Sequence, residues 1–130
     1  MRKIAVIIAA ALMAASCNAD ERHARDAAEN FLKAYYAMDY AIAEEYCTMD
    51  FVGVIEESIE GLSSLPESIS EKMKEAAVAT SFEIVSVTVS EDETSAVVDY
   101  LLSAPGLGKP AEKRLRLLLE GGTALVDAVE

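Results

Sequence analysis

The chain has no tryptophan, one histidine and two cysteines, and these scarcities close off chemistry before any pattern is sought. With only carboxylates besides, one histidine, His23, and one lone cysteine, Cys47, are too few to assemble a zinc site. Neither a metal nor a cofactor is implied. Basic residues are also scarce, 11 against 23 acidic ones, for a formal charge of −12. Such a surface is repelled by phosphate backbones and by anionic lipid heads, so nucleic acid is not expected as a partner. Disorder is excluded by the 52% hydrophobic content. Long apolar runs are missing except for one, Ile4–Ala15. At ~1.5 Å per residue it falls short of a ~30 Å hydrocarbon core, so it is not a membrane span.

That run is informative for what flanks it. Arg2 and Lys3 precede it, and small residues follow, which is the layout of a secretory signal. Ala14-Ala15-Ser16-Cys17 resembles a bacterial lipobox, with Ala14 standing where Leu is usual. The resemblance implies cleavage before Cys17 and acylation of its thiol and new amino terminus. Two or three acyl chains anchor stably where one is marginal. The expected division is a signal at residues 1–16, a lipidated tether at 17–23 and one α+β domain at 24–130. The membrane is then a partner through lipid alone, and the expected location is the bacterial cell envelope, facing the periplasm or the exterior. The alternative is an ordinary signal that releases a soluble secreted or periplasmic protein. Loss of residues 1–16 removes two basic and no acidic residues, so the charge moves from −12 to −14. With Cys17 acylated, Cys47 stands alone as a small buried hydrophobe; with Cys17 free, a Cys17–Cys47 bridge stays open.

The mature part begins with helical periodicity. Ala24, Ala28, Phe31, Tyr35, Met38 and Ile42 step by four and three, one face of an α-helix. Asp39 offers a break and a new start for Tyr40–Cys47. Phe51, Ile55, Ile59 and Leu62 mark a third helix ending near Gly61 and Ser63-Ser64. A fourth runs to about Ala79 with Ile69, Met73 and Ala77 inward, starting at a Ser68…Glu71 capping box or earlier at Ser64…Glu67.

After Thr80 the composition turns β-branched, and four strands are expected near 82–90, 95–103, 113–119 and 123–129. Gly121-Gly122 reads as a two-residue type I′ hairpin turn. Its register places Leu119, Leu117 and Leu115 opposite Ala124, Val126 and Ala128, with Arg116 opposite Asp127 and Lys113 opposite Glu130. A four-residue loop in the first hairpin places Val85, Val87 and Val89 with Tyr100, Val98 and Ala96 on one face. Helices first and a four-strand antiparallel meander after them imply an α+β fold, helices on one face of a curved sheet. The other face mixes charge with apolar residues. Val97, Leu101, Arg114, Arg116, Leu118 and Leu125 are the candidate partner face there, for a homodimer or another protein, and Ile84 and Val129 are expected on the same side.

The helix ENFLKAYYAMDYAIAEEYCT, the strands FEIVSVTVSEDETSAVVDYLL and the hairpin LRLLLEGGTALVDAVE, behind a lipobox, together resemble small bacterial lipoproteins with a nuclear transport factor 2-like (cystatin-like) domain. The last strand has Thr123-Ala124-Leu125 where that family usually carries an aromatic residue and Lys. The resemblance implies a cone with a pocket between helices and sheet, for which Tyr35, Met38, Tyr46, Val87, Val98 and Tyr100 are candidate lining residues. Function in that branch is mostly unassigned, so the expectation is a non-enzymatic binding or accessory module with no ligand named. The alternative is a small ketosteroid-isomerase- or cyclase-like enzyme using the pocket. Its candidates are Tyr35, Tyr36, Tyr40, Tyr46 and Tyr100 with Asp99 or Asp127 as base, but the register sends both aspartates to the outer face beside Arg114 and Arg116. His23 falls in the tether. Gly106-Leu107-Gly108-Lys109 lies between strands and lacks a Lys-Ser/Thr ending, so it is a loop and not a phosphate cradle.

Overall fold

A computed structural model of the chain describes residues 18–130. Four helices come first: α1 (Asn18–Tyr36), α2 (Tyr40–Glu44), α3 (Met49–Ser63) and α4 (Glu67–Val78). Four strands follow: β1 (Ser81–Val89), β2 (Ser95–Ser103), β3 (Ala111–Glu120) and β4 (Thr123–Val129). The strands form one antiparallel sheet in the order β1-β2-β3-β4, and the helices lie on one of its faces, an α+β architecture.

α1 is the spine. Ala24, Ala27, Ala28, Phe31 and Leu32 are all buried at helical spacing, and the alanines let the helix approach the sheet closely. Against them stand Ala96, Val98 and Tyr100 of β2, Leu115, Leu117 and Leu119 of β3, and Ala124 and Val126 of β4. The helix stops at a Schellman motif: Asp39 N–H donates to Ala34 O at 2.8 Å and Met38 N–H to Tyr35 O at 3.2 Å. The left-handed position of that motif usually holds glycine; here it is Met38, at φ 64°. The turn rotates the following helix, so Ile42 leaves the apolar stripe and is exposed while Ala43 takes the buried place.

α3 starts at Thr48, whose hydroxyl accepts from Phe51 N–H at 3.2 Å. It buries Phe51 and Ile55 and packs Ile59 against the same core. α4 begins between its two expected starts: Pro66 stands before the first turn with no side-chain cap, Ser64 instead closes α3 with its hydroxyl donating to Gly61 O at 2.8 Å, and none of the α4 side chains is fully buried. Ile69, expected inward, is exposed.

The glycine pair turns as expected, Gly121 at φ 51° and Gly122 at φ 82°. The registers hold near both turns and slip once further along each edge strand. In the first hairpin Val89, Val87 and Ser86 face Ala96, Val98 and Asp99, and then a bulge places Ile84, not Val85, opposite Tyr100. In the second, Leu119 and Leu117 face Ala124 and Val126, and then a bulge places Arg116 opposite Ala128 and Leu115 opposite Val129. Because side chains alternate with period two, one extra residue exchanges the faces beyond it. Ile84 and Val129 therefore pack against the core, contrary to the expectation of an outer position, and Val85 is 58% exposed.

Candidate functional site

Two constellations carry polar chemistry, one on each side of the sheet. On the inner side, Tyr36 at the end of α1 and Tyr100 on β2 meet hydroxyl to hydroxyl at 2.9 Å. Tyr35 is stacked on Phe31 at 5.0 Å and meets Tyr36 and Tyr40 edge-on. Burial pushes the ionisation of Tyr35, Tyr36, Tyr40 and Tyr100 above the ordinary phenol value, and the bond from Tyr36 raises Tyr100 further. At neutral pH these groups are hydrogen-bonding phenols and not phenolates. Among the described residues, neither a carboxylate nor the imidazole hydrogen-bonds to the pair. Enolisation chemistry needs a base of that kind close to its hydrogen-bond donors.

The candidate lining residues disperse around this cluster. Val98 and Tyr100 are buried in the core, and Tyr35, Met38 and Val87 are half-buried. Tyr46 belongs to a different feature, the strip beside β4, where its carbonyl accepts from Val126 N–H at 2.7 Å. Cys47, in the same strip, is buried, and its thiol donates to Ala43 O at 3.2 Å. Burial pushes that thiol up to about 12, with Glu44 adding to the shift, so it is not a nucleophile at neutral pH.

The outer side holds an open groove of about 490 Å³. β1 gives Val85 and Ser86 at its bulge to the lining, β2 gives Asp99, Leu101 and the candidate lining residue Tyr100, β3 gives Glu112, Lys113 and Arg114, and Glu130 after β4 completes it. Arg114 Nε donates to Asp99 Oδ1 at 2.9 Å and Ser86 Oγ to Asp99 Oδ2 at 3.2 Å. The Arg114 bond is the main reason the Asp99 carboxyl sits below its ordinary range. Arg116 reaches Glu130 at 3.3 Å.

The expected pairings of Arg116 with Asp127 and of Lys113 with Glu130 are thus replaced. The second bulge moves Arg114 opposite Glu130 in the backbone ladder and leaves Asp127 to accept from Thr48 Oγ1 at 2.8 Å. Of the candidate partner face, Leu101 and Arg114 line the groove, while Val97, Arg116, Leu118 and Leu125 lie beside it on the same outer surface.

Comparison with protein-family models, with curated proteins and with solved structures returns no match.

The groove and its surroundings are therefore read from their own chemistry. An arginine–carboxylate pair beside aliphatic side chains offers both signs of charge and an apolar floor. Among the described residues, no group of three metal-ligating side chains gathers and no helix is long and apolar enough to cross a membrane. Cys17 lies outside the described residues. Asn18–His23, expected to be a tether, form the first turns of α1, with exposed His23 beside Gly122 of the last hairpin turn. The groove is not legible in the sequence: Val85 at the bulge is part of its lining, and no local residue signals that bulge.

Proposed function

We propose that this protein is a lipid-anchored, non-enzymatic binding module of a bacterial cell envelope, acylated at Cys17, with a nuclear transport factor 2-like domain. The observation that carries the binding role is the outer face of the sheet, which none of the helices among the described residues covers. There Val97, Leu101, Leu118 and Leu125 interleave with the Asp99–Arg114 and Arg116–Glu130 pairs. Mixed aliphatic and charged surface of this kind is what a polar-rimmed protein interface presents, and a second copy or another envelope protein would fill it. The helices-on-one-face architecture agrees with the proposed domain type. The anchor reading is supported by the basic residues, short apolar run and Ala-Ala-Ser-Cys ending of residues 1–17. An anchor there leads straight into α1, so the domain would ride close to the bilayer, held by acyl chains against its own acidic charge.

Sedimentation of the Cys17→Ala chain with and without Leu118→Glu tests the interface. Self-association or partner capture that Leu118→Glu abolishes, with unchanged circular dichroism, is the expected result. A strict monomer whose partner set is indifferent to Leu118→Glu, Val97→Glu and Arg114→Glu would overturn the reading.

A further inference from the structure

We propose that the free edge of β1 binds an extended, positively charged polypeptide segment as an added strand. The two edges of the sheet differ. The β4 edge is covered at its middle: Thr48 N–H donates to Val126 O at 2.9 Å and Val126 N–H to Tyr46 O at 2.7 Å, so Tyr46–Thr48 runs beside Val126 as a short parallel strip. The β1 edge is not closed. Its nine residues, Ser81–Val89, pair with β2 alone, and among the described residues no other hydrogen bond reaches its backbone. Half of the backbone groups of such a strand point away from the sheet and need water or another strand.

Proteins usually blunt a long edge with charge, above all lysine, with proline, with a bulge or by shortness. β1 has no lysine and no proline, a single charge at Glu83, and five β-branched side chains, Ile84, Val85, Val87, Thr88 and Val89. Its one irregularity is the Val85 bulge, which leaves Val85 exposed. The backbone therefore selects an extended segment, and the charge selects its sign. β1 carries Glu83 as its one charge, and the turn that follows it carries Glu91 and Asp92, within a chain of net −12. A second copy would bring the same charges to the edge. A segment with Lys or Arg at alternate positions would meet Glu83 while its backbone completes the ladder.

The inference adds a second surface to the binding module proposed above, and its failure leaves the outer-face test standing. The experiment uses the full chain in non-ionic detergent with three synthetic eight-residue peptides. One alternates Lys and Val, its twin has the same sequence with alternate backbone nitrogens methylated, and the third alternates Glu and Val. The expected result is at least tenfold tighter binding of the first than of either other. Amide exchange should slow specifically over Ser81–Val89, and Glu83→Lys should weaken the lysine peptide severalfold. Equal binding of the methylated twin would mean attraction by charge alone and overturn the proposal. So would protection outside β1, or protection of β1 in the free protein that grows with concentration, which would make a second copy the occupant.

Discussion

Single side chains account for several distinct energies in this fold. Met38 occupies the left-handed position that ends α1, at φ 64°, where an L side chain costs about 1 kcal/mol relative to glycine. Met38→Gly should raise stability by roughly 0.5–1 kcal/mol in urea denaturation, the reverse of the usual outcome of adding glycine. The tyrosine pair gives an asymmetric expectation. Tyr36→Phe strands the hydroxyl of Tyr100, which is 1% exposed, and should cost ~1–3 kcal/mol; Tyr100→Phe leaves the Tyr36 hydroxyl with access to water and should cost about 1 kcal/mol. The same burial fixes a pH dependence. The folded chain holds these phenolic protons above the ordinary phenol value of about 10, at which the unfolded chain releases them. Stability from this source is therefore complete below pH 10 and falls as pH rises beyond it, which denaturation midpoints across pH 8–11 would record. Thr48 links two elements, capping α3 and donating to Asp127. Thr48→Val should cost about 1 kcal/mol and loosen both α3 and the end of β4.

At the scale of elements, the helices that face the sheet and the one that does not should behave differently. Ile55→Ala on α3 should cost ~2–5 kcal/mol, because that side chain is fully enclosed. Val78→Asp on α4, where the residue is 90% exposed, should change stability by no more than about 0.5 kcal/mol. Hydrogen exchange should rank α4 well below α1 in protection. Element type was legible in the sequence wherever period and caps agreed. The α1 stripe through Ala24, Ala28 and Phe31, the break at Asp39 and the Gly121-Gly122 turn all stand where the pattern puts them. The bulges were not legible. A valine at 85 and an aspartate at 127 look like ordinary strand residues, and the extra residue is accommodated by sheet curvature, which no local pattern encodes. That is why Ile84 and Val129 exchanged faces and why the Arg116 pairing moved to Glu130. The inward reading of Ile69 failed for a related reason: an apolar stripe on α4 buries only if something is there to receive it.

The whole molecule combines a strongly acidic domain with a proposed lipid tether at one end of its spine. With −12 on the chain, adsorption to anionic vesicles through the domain surface is disfavoured, and under the proposed anchoring acyl insertion would supply the affinity. In that proposal the outer face and the β1 edge, uncovered among the described residues, would be available to envelope proteins, while the core side of the sheet is filled by α1 and the tyrosine cluster. The most direct test of this account is native mass spectrometry of the protein extracted from its own membrane. The account predicts a chain beginning at Cys17, heavier than its amino acids by two or three acyl groups, and carrying a second copy or a protein partner that Leu118→Glu removes. An unacylated chain beginning elsewhere, monomeric and released without detergent, would contradict it.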